Sequence, residues 1–346
     1  MIAERLESRD EIAELIRAAE PWAIANPSGI QMEPWWLLSY LETMARKPVA
    51  VIIRDGNDPI AFGFFEKKGA SLALRGLIKK RVLVFLSQGP SDFSDILIAP
   101  GAEPNEALPP IAKALRDIPK IDEIRLEQFP ESSPLAQGLA AAVGTRLQDW
   151  VKVYFADLSV GYEALWRGAG RNARRDIHKK TRRFLERFEI RHEVLREAEE
   201  ALLSEIISLN QKRGDRKSPF LGKRAGFTLR MIRECQAKGR LLLFTMRANG
   251  SLVSYRLGFL RDGVFYDWNT SYDPALFELS PGKIQLAWVL RWCAENQLRE
   301  FNFMRGDEEY KRIWSTGHTT NRALIQTLPT LRLRLASAWA RRRAQR

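Results

Sequence analysis

Two dipeptides that favour tight turns, Asn249-Gly250 and Asp262-Gly263, separate three successive runs of strand-forming residues, RLLLFTMRA, SLVSYRLGFL and GVFYDWNTSY. Asn-Gly and Asp-Gly suit two-residue hairpin turns because these residues tolerate positive φ. The sequence therefore predicts three antiparallel strands in succession. Helical spacing then predicts a helix over 283–295. The strand EFNFMRG, a short helix through EEYKRIW and a last strand, RALIQTL, complete the order.

The first half of the chain has a similar order, with a meander of strands followed by helix, strand, helix and strand. A chain of 346 residues exceeds the usual size of a single hydrophobic core, so two domains are expected. We predict an α/β (α+β) fold of two tandem domains, each with a mixed, mostly antiparallel sheet flanked by helices. The predicted ranges are 1–158 and 159–330, followed by a basic tail, 331–346.

Composition indicates a folded protein without membrane spans or bound metal. Hydrophobic residues make up 45% of the chain, and 10 Trp and 17 Phe provide large core side chains. No apolar run approaches the ~18 residues that cross a bilayer. The stretch MIAERLESRDEIAELI lacks the basic start and apolar centre of a secretory signal, so we expect a cytoplasmic protein. The two cysteines and three histidines do not have zinc-ligand spacing, so no metal is expected.

The net charge of +13 is partly concentrated in one segment, RGAGRNARRDIHKKTRRFLER, which carries nine Lys or Arg against two acids. Periodicity predicts a helix here, and Arg171, Arg175 and Lys179 share part of one helical surface. Such a stripe attracts polyanions. The candidate partners are the phosphates of coenzyme A, tRNA, and an anionic polysaccharide or lipid-linked sugar. The basic tail is a candidate for peripheral contact with a membrane.

The tetrapeptide Ser280-Pro281-Gly282-Lys283 predicts the start of a helix soon after the third strand. Proline suits the first turn of a helix, where its missing N–H is no loss, and glycine lets the backbone approach a ligand closely. The free N–H groups of this turn point outward at the positive end of the helix dipole, an arrangement that binds phosphate. Lys283 adds a mobile cation, so we predict an anion site here.

This helix, the strand after it and the segment FNFMRGDEEYKRIW resemble the GNAT superfamily of acyltransferases. The resemblance is closer to its CelD-like branch, which is associated with cellulose and other exopolysaccharide synthesis, and it covers about residues 30–326. The residues that match the pattern of the branch are Phe301, Phe303, Gly306, Tyr310, Lys311 and Trp314. The best-known GNAT pyrophosphate loop, Q/R-x-x-G-x-G/A, is not met, because Glu278 opens the window and the second glycine is missing.

The resemblance implies direct transfer from an acyl-CoA, most simply acetyl-CoA, to an acceptor in a ternary complex. It implies that Tyr310, just after the FNFMRG strand, is the general acid for the leaving thiolate. The candidate bases are Asp267, Asp307 and Glu308. Strand alternation places Asp267 on the opposite face of its strand from its aromatic neighbours, where it would face solvent or a cleft. If the carboxyl were buried, its pKa would rise.

The predicted function is an acyl-CoA-dependent N- or O-acyltransferase that acts on a sugar, polysaccharide or cell-envelope precursor. The first domain is predicted to be non-catalytic because it lacks its own SPG and YK motifs. Two alternatives stay open: a Fem-type aminoacyl-tRNA-dependent transferase, and a non-catalytic protein whose basic helix binds polyanions. The predicted donor-binding residues are Ser280, Pro281, Gly282, Lys283 and Lys311, and the predicted acceptor-binding residues are Arg171, Asn172, Arg175, Trp268 and Asn269.

Overall fold

The computed structural model describes residues 1–26, 29–73, 78–214 and 218–330, with only the backbone of residues 71–73, 78 and 79. The predicted basic tail, 331–346, lies outside the described residues. The chain divides into two compact units. Unit 1 comprises Met1–Val151 together with Thr320–Arg346, and unit 2 comprises Lys152–Thr319.

Unit 1 contains the first six strands and the first five helices, and most of the last strand. Its strands are β1 (Ile2–Leu6), β2 (Pro48–Asp55), β3 (Asp58–Ala73), β4 (Ile78–Phe85), β5 (Leu97–Ile98), β6 (Glu123–Phe129) and, after unit 2, β13 (Gly317–Thr327). Its helices are α1 (Arg9–Ala18), α2 (Glu20–Ala25), α3 (Pro34–Thr43), α4 (Pro104–Arg116) and α5 (Ala136–Val143), with a 3₁₀ helix at Gly29–Met32. The strands are hydrogen-bonded in the order β1-β2-β3-β4-β6-β13, and β5 pairs with β3.

Unit 2 contains the remaining elements. Its strands are β7 (Leu147–Asp157, which begins in unit 1), β8 (Ile190–Leu195), β9 (Leu241–Ala248), β10 (Ser251–Arg261), β11 (Val264–Tyr272) and β12 (Glu300–Arg305). Its helices are α6 (Tyr162–Gly168), α7 (Arg171–Leu185), α8 (Glu200–Gln211), α9 (Lys223–Ala237), α10 (Pro281–Glu295) and α11 (Glu309–Trp314), with a 3₁₀ segment at Pro274–Leu279. The strand order is β7-β12-β11-β10-β9-β8. The predicted mixed α/β class, with mostly antiparallel strands and flanking helices, is confirmed.

The two predicted tight turns form as the sequence indicates. Asn249 and Asp262 have φ of 47° and 49°, and the glycines that follow them have φ of 82° and 72°. These left-handed pairs match the twist of a two-residue hairpin. As a result β9, β10 and β11 form the predicted antiparallel meander.

The predicted basic helix is divided into two helices. The chain leaves the helical region at Gly170, which has φ of 83° and ψ of 157° and precedes the first residue of α7. A residue with a Cβ is strained at such positive φ, so the glycine sets the break. Most of the basic residues therefore lie on α7, which buries Ile177 and Phe184 against unit 2.

Each unit contains one pair of neighbouring parallel strands that are joined through a helix. In unit 1, β4 and β6 are paired through α4, and in unit 2, β11 and β12 are paired through α10. Apolar residues on one face of each helix pack against the strands of the same unit. In unit 2, the Gln285 side chain also binds the sheet, because its Nε2 donates to the carbonyls of Phe244 and Ser254 at 3.1 and 3.2 Å. These bonds fix the start of α10 relative to β9 and β10.

The two strands next to the division between the units differ from the sequence prediction. The predicted ranges treat β7 as the end of the first domain and β13 as the end of the second. In the structure, Phe155–Asp157 of β7 pairs with β12 in unit 2, and Arg322–Thr327 of β13 pairs with β6 in unit 1. Propensity and periodicity identify a strand but carry no information about its partner, which is why the ranges 1–158 and 159–330 differ from the two units.

Candidate functional site

The parallel strands β11 and β12 separate soon after they meet. Their pairing covers Val264–Tyr266 and Glu300–Asn302, whereas both strands continue beyond it. On β11 the pairing with β10 has an irregularity between Leu257 and Phe259, and on β12 Met304 has φ of 59°. Ligands in α/β sheets bind outside the carboxyl ends of parallel strands, and strand irregularities are common beside active sites. We call this place, just past Tyr266 and Asn302, the strand split.

The first turn of α10 follows from the end of β11 through the 3₁₀ segment. Ser280 adopts a left-handed conformation (φ 52°, ψ 54°), and its carbonyl accepts from the N–H groups of Lys283 and Ile284 at 3.0 and 3.3 Å. Pro281 has no N–H, and no hydrogen bond within the described part of the chain uses the N–H of Gly282. The helix therefore begins with one free backbone donor at the positive end of its dipole.

A side chain at position 282 would be crowded. A Cβ built there lies 3.2 Å from the Tyr272 ring, which is tighter than ordinary contact. The glycine thus allows the first turn of α10 to pack closely against Tyr272, and its role beside a ligand stays a prediction. Lys283, in contrast, is not a free cation, because its Nζ lies 2.8 Å from Oδ2 of Asp176 on α7.

That ion pair shows where the basic helix lies. α7 packs beside the start of α10, and the Lys180 ammonium donates to the carbonyl of Glu278 in the 3₁₀ segment. Arg171, Asn172 and Arg175 are exposed. A surface cleft is lined by α7 residues that include two of the predicted acceptor contacts: Asn172, Arg175, Asp176, His178, Lys179 and Arg182. The positive face of α7 therefore adjoins the helix N-terminus that has the free donor.

Asp267 does not face solvent. Its side chain is 1% exposed and forms an ion pair with Arg256 of β10, which is itself 4% exposed. Burial raises the pKa of the Asp267 carboxyl, and the charges of Arg256 and Lys311 oppose this rise. Oδ1 of Asp267 and Nε of Arg256 are buried without a hydrogen-bond partner among the described residues. The carboxylate that the sequence offers as a solvent-facing base is thus a member of a buried charge pair.

Tyr310 lies at the strand split. Its ring packs edge-on against Phe303 of β12, with centroids 6.3 Å apart, and Cζ of Arg256 lies 5.9 Å from the ring centroid. Burial, and then the negative charge of Asp267, raise the pKa of the Tyr310 phenol well above its usual range. The hydroxyl therefore keeps its proton at neutral pH, and the positive charge of Arg256 opposes part of the rise in its pKa.

The Lys311 ammonium is bound within the turn that follows β12. Its Nζ donates to the carbonyl of Arg305 at 2.6 Å and lies 3.0 Å from Oε2 of Glu308, and its side chain is 5% exposed. This buried ammonium holds the turn at the end of β12, where Gly306 has φ of 125°. The predicted contact of Lys311 with the donor's phosphates stays a prediction, and in this structure its ammonium is bound within the protein.

Three other predicted site residues, Asp307, Asn269 and Trp268, have contacts of their own. Asp307 is exposed, and hydrogen bonds from Tyr154 and Arg312 lower the pKa of its carboxyl, which makes it a weak base. Asn269 accepts from the Tyr255 hydroxyl at 2.6 Å in a network that includes Asn210 of α8. Trp268 is half-buried, and its ring lies 5.8 Å from that of Phe259.

Sequence reasoning missed Arg256. The signal is present, since one arginine interrupts the otherwise apolar run SLVSYRLGFL, and a charge in a central strand requires a buried partner. The partner, Asp267, was found for a different reason. The two residues are eleven positions apart, and only the hairpin between β10 and β11 makes them neighbours.

Unit 1 has the equivalent strand pair, but its split is filled. Oε1 of Gln88 accepts from the N–H of Phe85 on β4 at 3.2 Å and from that of Glu127 on β6 at 3.1 Å. The N–H of Ser94 also donates to the carbonyl of Gln128 at 3.0 Å. The loop after β4 therefore bonds to both strands at the place where those of unit 2 separate.

The residues that the structure describes include no group of three or more His, Cys, Asp or Glu side chains that could hold a metal ion. None of their helices is both long enough and apolar enough to cross a bilayer. Cys235 and Cys293 are buried, and neither forms a disulfide bond within the described part of the chain.

Comparison with known proteins identifies the class of the domain. Residues 171–312 match the family model described as an acetyltransferase (GNAT) domain. This stretch lies within unit 2 and includes α7, the start of α10, the strand split and Tyr310. Unit 2 therefore has a GNAT-type acyltransferase fold. No curated protein sequence matches the chain.

Solved structures share the fold of nearly the whole chain. FemX has 10% identity and a TM-score of 0.57, with 93% of this chain and 97% of that chain covered. The C-terminal domain of a putative lysylphosphatidylglycerol synthetase from Agrobacterium fabrum has 10% identity and a TM-score of 0.59, with 96% of each chain covered. A conserved protein of unknown function from Bacteroides thetaiotaomicron has 11% identity and a TM-score of 0.56, with 93% and 99% covered. At this level of identity the similarity concerns the fold alone.

Proposed function

We propose that the chain is an acyl-CoA-dependent N- or O-acyltransferase, most simply an acetyltransferase, with its donor site in unit 2. The observation that carries the proposal is the β11–α10–β12 crossover. It combines a free N–H at the start of α10 with a strand split occupied at its edge by a protonated tyrosine. The free donor and the adjacent positive face of α7 suit the phosphates of CoA.

Tyr310 is proposed as the general acid. In a direct transfer, the nitrogen or oxygen of the acceptor bonds to the acyl carbon, the carbon–sulfur bond breaks, and the thiolate takes the phenolic proton. The proton that the acceptor loses returns to the phenolate, so the phenol is restored. Arg256 supports this role, because its guanidinium lies 5.9 Å from the ring centroid and its positive charge favours the phenolate that remains once the proton has been donated. Asp267 holds Arg256 in place through their ion pair. Asp267 is thus proposed as a positioning residue in place of the base that the sequence indicates.

The acceptor is proposed to be a sugar, polysaccharide or cell-envelope precursor, as in the CelD-like branch that the chain resembles. The support is the exposed set of Arg171, Asn172 and Arg175 beside the start of α10, which suits an anionic acceptor. Unit 1 is proposed to be non-catalytic, and the support is the Gln88 contact that fills its strand split.

A second candidate is an aminoacyl-tRNA-dependent transferase of the Fem type. The observation that favours it is the density of positive charge on α7, which also suits a nucleic-acid backbone. The fold that the chain shares with FemX is compatible with this candidate and does not select it.

Thermal unfolding with a panel of acyl-CoA thioesters tests the proposed donor. A ligand that binds only the native state at about one hundred times its Kd adds about 2.7 kcal/mol to the free energy of unfolding, so Tm rises. Gly282→Glu places a negative charge at the proposed phosphate site and is expected to abolish the rise. Gly226→Glu makes the same change on an open face of α9 and is expected to retain it.

Two outcomes contradict the acyl-CoA proposal. One is a Tm that no thioester changes. The other is retention of aminoacyl-tRNA, with steep salt dependence, by a protein that ignores every thioester, which would favour the second candidate.

Tyr310→Phe separates an enzyme from a catalytically silent binding protein. Loss of the phenolic proton is expected to lower kcat by about 10²- to 10⁴-fold, with little change in the Kd for acyl-CoA, because the ring and its contacts remain. Steady-state kinetics and the thermal assay measure the two effects. An unchanged kcat would remove Tyr310 from the mechanism.

A further inference from the structure

The solvent face of α7 is strongly positive. Six Lys or Arg side chains on this helix and just after it are exposed, and we call them the basic row: Arg171, Arg175, Lys179, Arg182, Arg183 and Arg187. Two acids accompany them. Asp176 is paired with Lys283 of α10, and Glu186 lies 3.8 Å from Arg182. The charge that remains toward solvent is therefore positive.

Two large apolar side chains flank the basic row. Phe277, in the 3₁₀ segment, is 69% exposed, and Leu185, in the last turn of α7, is 58% exposed. The 3₁₀ segment lies on the side of α7 that carries Asp176 and Lys180, since Lys180 donates to Glu278. Leu185 follows Asp176 by nine residues, or two and a half turns, and so points to the opposite side of the helix. The row thus runs between two exposed apolar residues.

We propose that this surface docks onto an anionic phospholipid membrane. Lys and Arg side chains are attracted to acidic headgroups, and apolar side chains at the edges of a basic surface insert between the headgroups. A nucleic acid would also be attracted by the positive charge, but an exposed leucine would form no favourable contact with a phosphate backbone. The combination of charge and apolar side chains therefore favours the lipid surface.

The location gives the docking a functional consequence, which rests on the proposed function. The Asp176–Lys283 ion pair joins α7 directly to the start of α10, where the donor is proposed to bind. A docked protein would hold this end of unit 2 at the headgroup level. The acceptor would then be a precursor attached to a lipid, whose head reaches the site while its chains remain in the bilayer.

Vesicle sedimentation with the full chain tests the proposal without any acyl donor. Vesicles of phosphatidylcholine alone are compared with vesicles that contain phosphatidylglycerol as well, at low and high salt. We expect binding only to the anionic vesicles, and weaker binding at high salt. Phe277→Asp is expected to weaken binding about tenfold, and Arg182→Glu with Arg183→Glu at least tenfold.

Matched controls change the same chemistry elsewhere in unit 2. Val160→Asp replaces another apolar side chain, which is 50% exposed, and Lys223→Glu with Arg224→Glu reverses two exposed charges on α9. Both are expected to bind anionic vesicles as the unchanged protein does. Circular dichroism and the acyl-CoA thermal assay show whether each variant is folded, so loss of docking is distinguished from failure of the donor proposal.

Three outcomes would overturn the docking proposal. The first is no difference between neutral and anionic vesicles, and the second is equal loss in the control variants. The third is binding of tRNA that the charge reversal abolishes and Phe277→Asp leaves unchanged, in a protein that does not sediment with vesicles. That result would assign the basic row to nucleic acid.

Discussion

At the scale of single residues, the largest difference between sequence and structure concerns Asp267. Alternation along β11 places its side chain opposite Tyr266 and Trp268, and those aromatic residues suggested that the other face is open. The irregular pairing with β10 instead turns the carboxylate toward Arg256, inside unit 2. A pattern of side-chain directions says which residues share a face, but the packing of helices decides whether that face is covered.

The buried pair makes a prediction about stability. Asp267→Asn leaves the Arg256 guanidinium buried and uncompensated, so we expect it to lower the free energy of unfolding by about 3–5 kcal/mol. Replacing both residues, Asp267→Leu with Arg256→Met, is expected to be less harmful than the single change, because no buried charge remains. Urea unfolding measures both variants. A double variant less stable than Asp267→Asn would contradict this account.

Asp95 makes a prediction about pH. It is buried in unit 1, where burial raises the pKa of its carboxyl to about 7, while an unfolded aspartate has a pKa of about 3.9. The folded state thus holds a proton that the unfolded state has lost, and the resulting stability is complete below about pH 4 and disappears as pH rises through about 7. Between pH 5.5 and pH 8 we expect a loss of about 2 kcal/mol.

Urea unfolding at the two pH values, with Asp95→Asn, tests this assignment. The amide carries no titrating proton, so the variant is expected to lose that part of the pH dependence. Asp307→Asn is the control, because the pKa of the Asp307 carboxyl is lowered and the group stays ionised throughout this range. A pH dependence that survives in Asp95→Asn would assign the effect to another group.

At the scale of elements, the β4–α4–β6 crossover of unit 1 and the β11–α10–β12 crossover of unit 2 have the same connection. They differ in what lies between the ends of their parallel strands. The loop after β4 bonds to both β4 and β6 through one glutamine side chain. The 3₁₀ segment and the start of α10 follow β11 in the same position of unit 2, and they present a free N–H. In unit 1 the Gln88 side chain, together with the bond from the N–H of Ser94 to the carbonyl of Gln128, closes the end of the parallel pair.

Gln88→Ala tests the closure in unit 1. It leaves the buried N–H groups of Phe85 and Glu127 without their acceptor, so we expect a loss of about 2–4 kcal/mol in the free energy of unfolding. Gln297→Ala, at an exposed position, is the control and is expected to have little effect. The thermal shift by acyl-CoA is expected to persist in both variants, and its loss in Gln88→Ala would place unit 1 in donor binding.

At the scale of the whole molecule, β7 and β13 determine which fragments can fold. Each of these strands begins in one unit and pairs with a strand of the other. Residues 152–319 contain the segment of β7 that pairs with β12, and with it the buried side chains of Val153, Tyr154 and Ala156. Residues 159–330, the range that the sequence predicts, lack all of this and carry an unpaired part of β13. An open strand edge favours aggregation.

We therefore expect the fragment 152–319 to be soluble and to unfold cooperatively, and the fragment 159–330 to aggregate or unfold at lower temperature. Circular dichroism and size-exclusion chromatography of the two fragments measure the difference. Equal stability of the two would show that β7 contributes little to unit 2.

The sequence predicts some of these features better than others, for physical reasons. The hairpin turns at Asn249 and Asp262 are local, because turn chemistry acts within four residues, and they are confirmed. The helix start at Pro281 is equally local. The partners of β7 and β13, the burial of Asp267 and the closure by Gln88 depend on contacts between distant segments, and propensity does not specify these.

The position of β13 near the end of unit 2 in the sequence also imposes an order on biosynthesis. The ribosome delivers β6 long before Arg322–Thr327, because all of unit 2 lies between them in the chain. At roughly 5–20 residues per second, that interval lasts on the order of ten to forty seconds. During this time the edge of β6 in the nascent first unit lacks its partner strand, and the unit is most exposed to pairing with other chains.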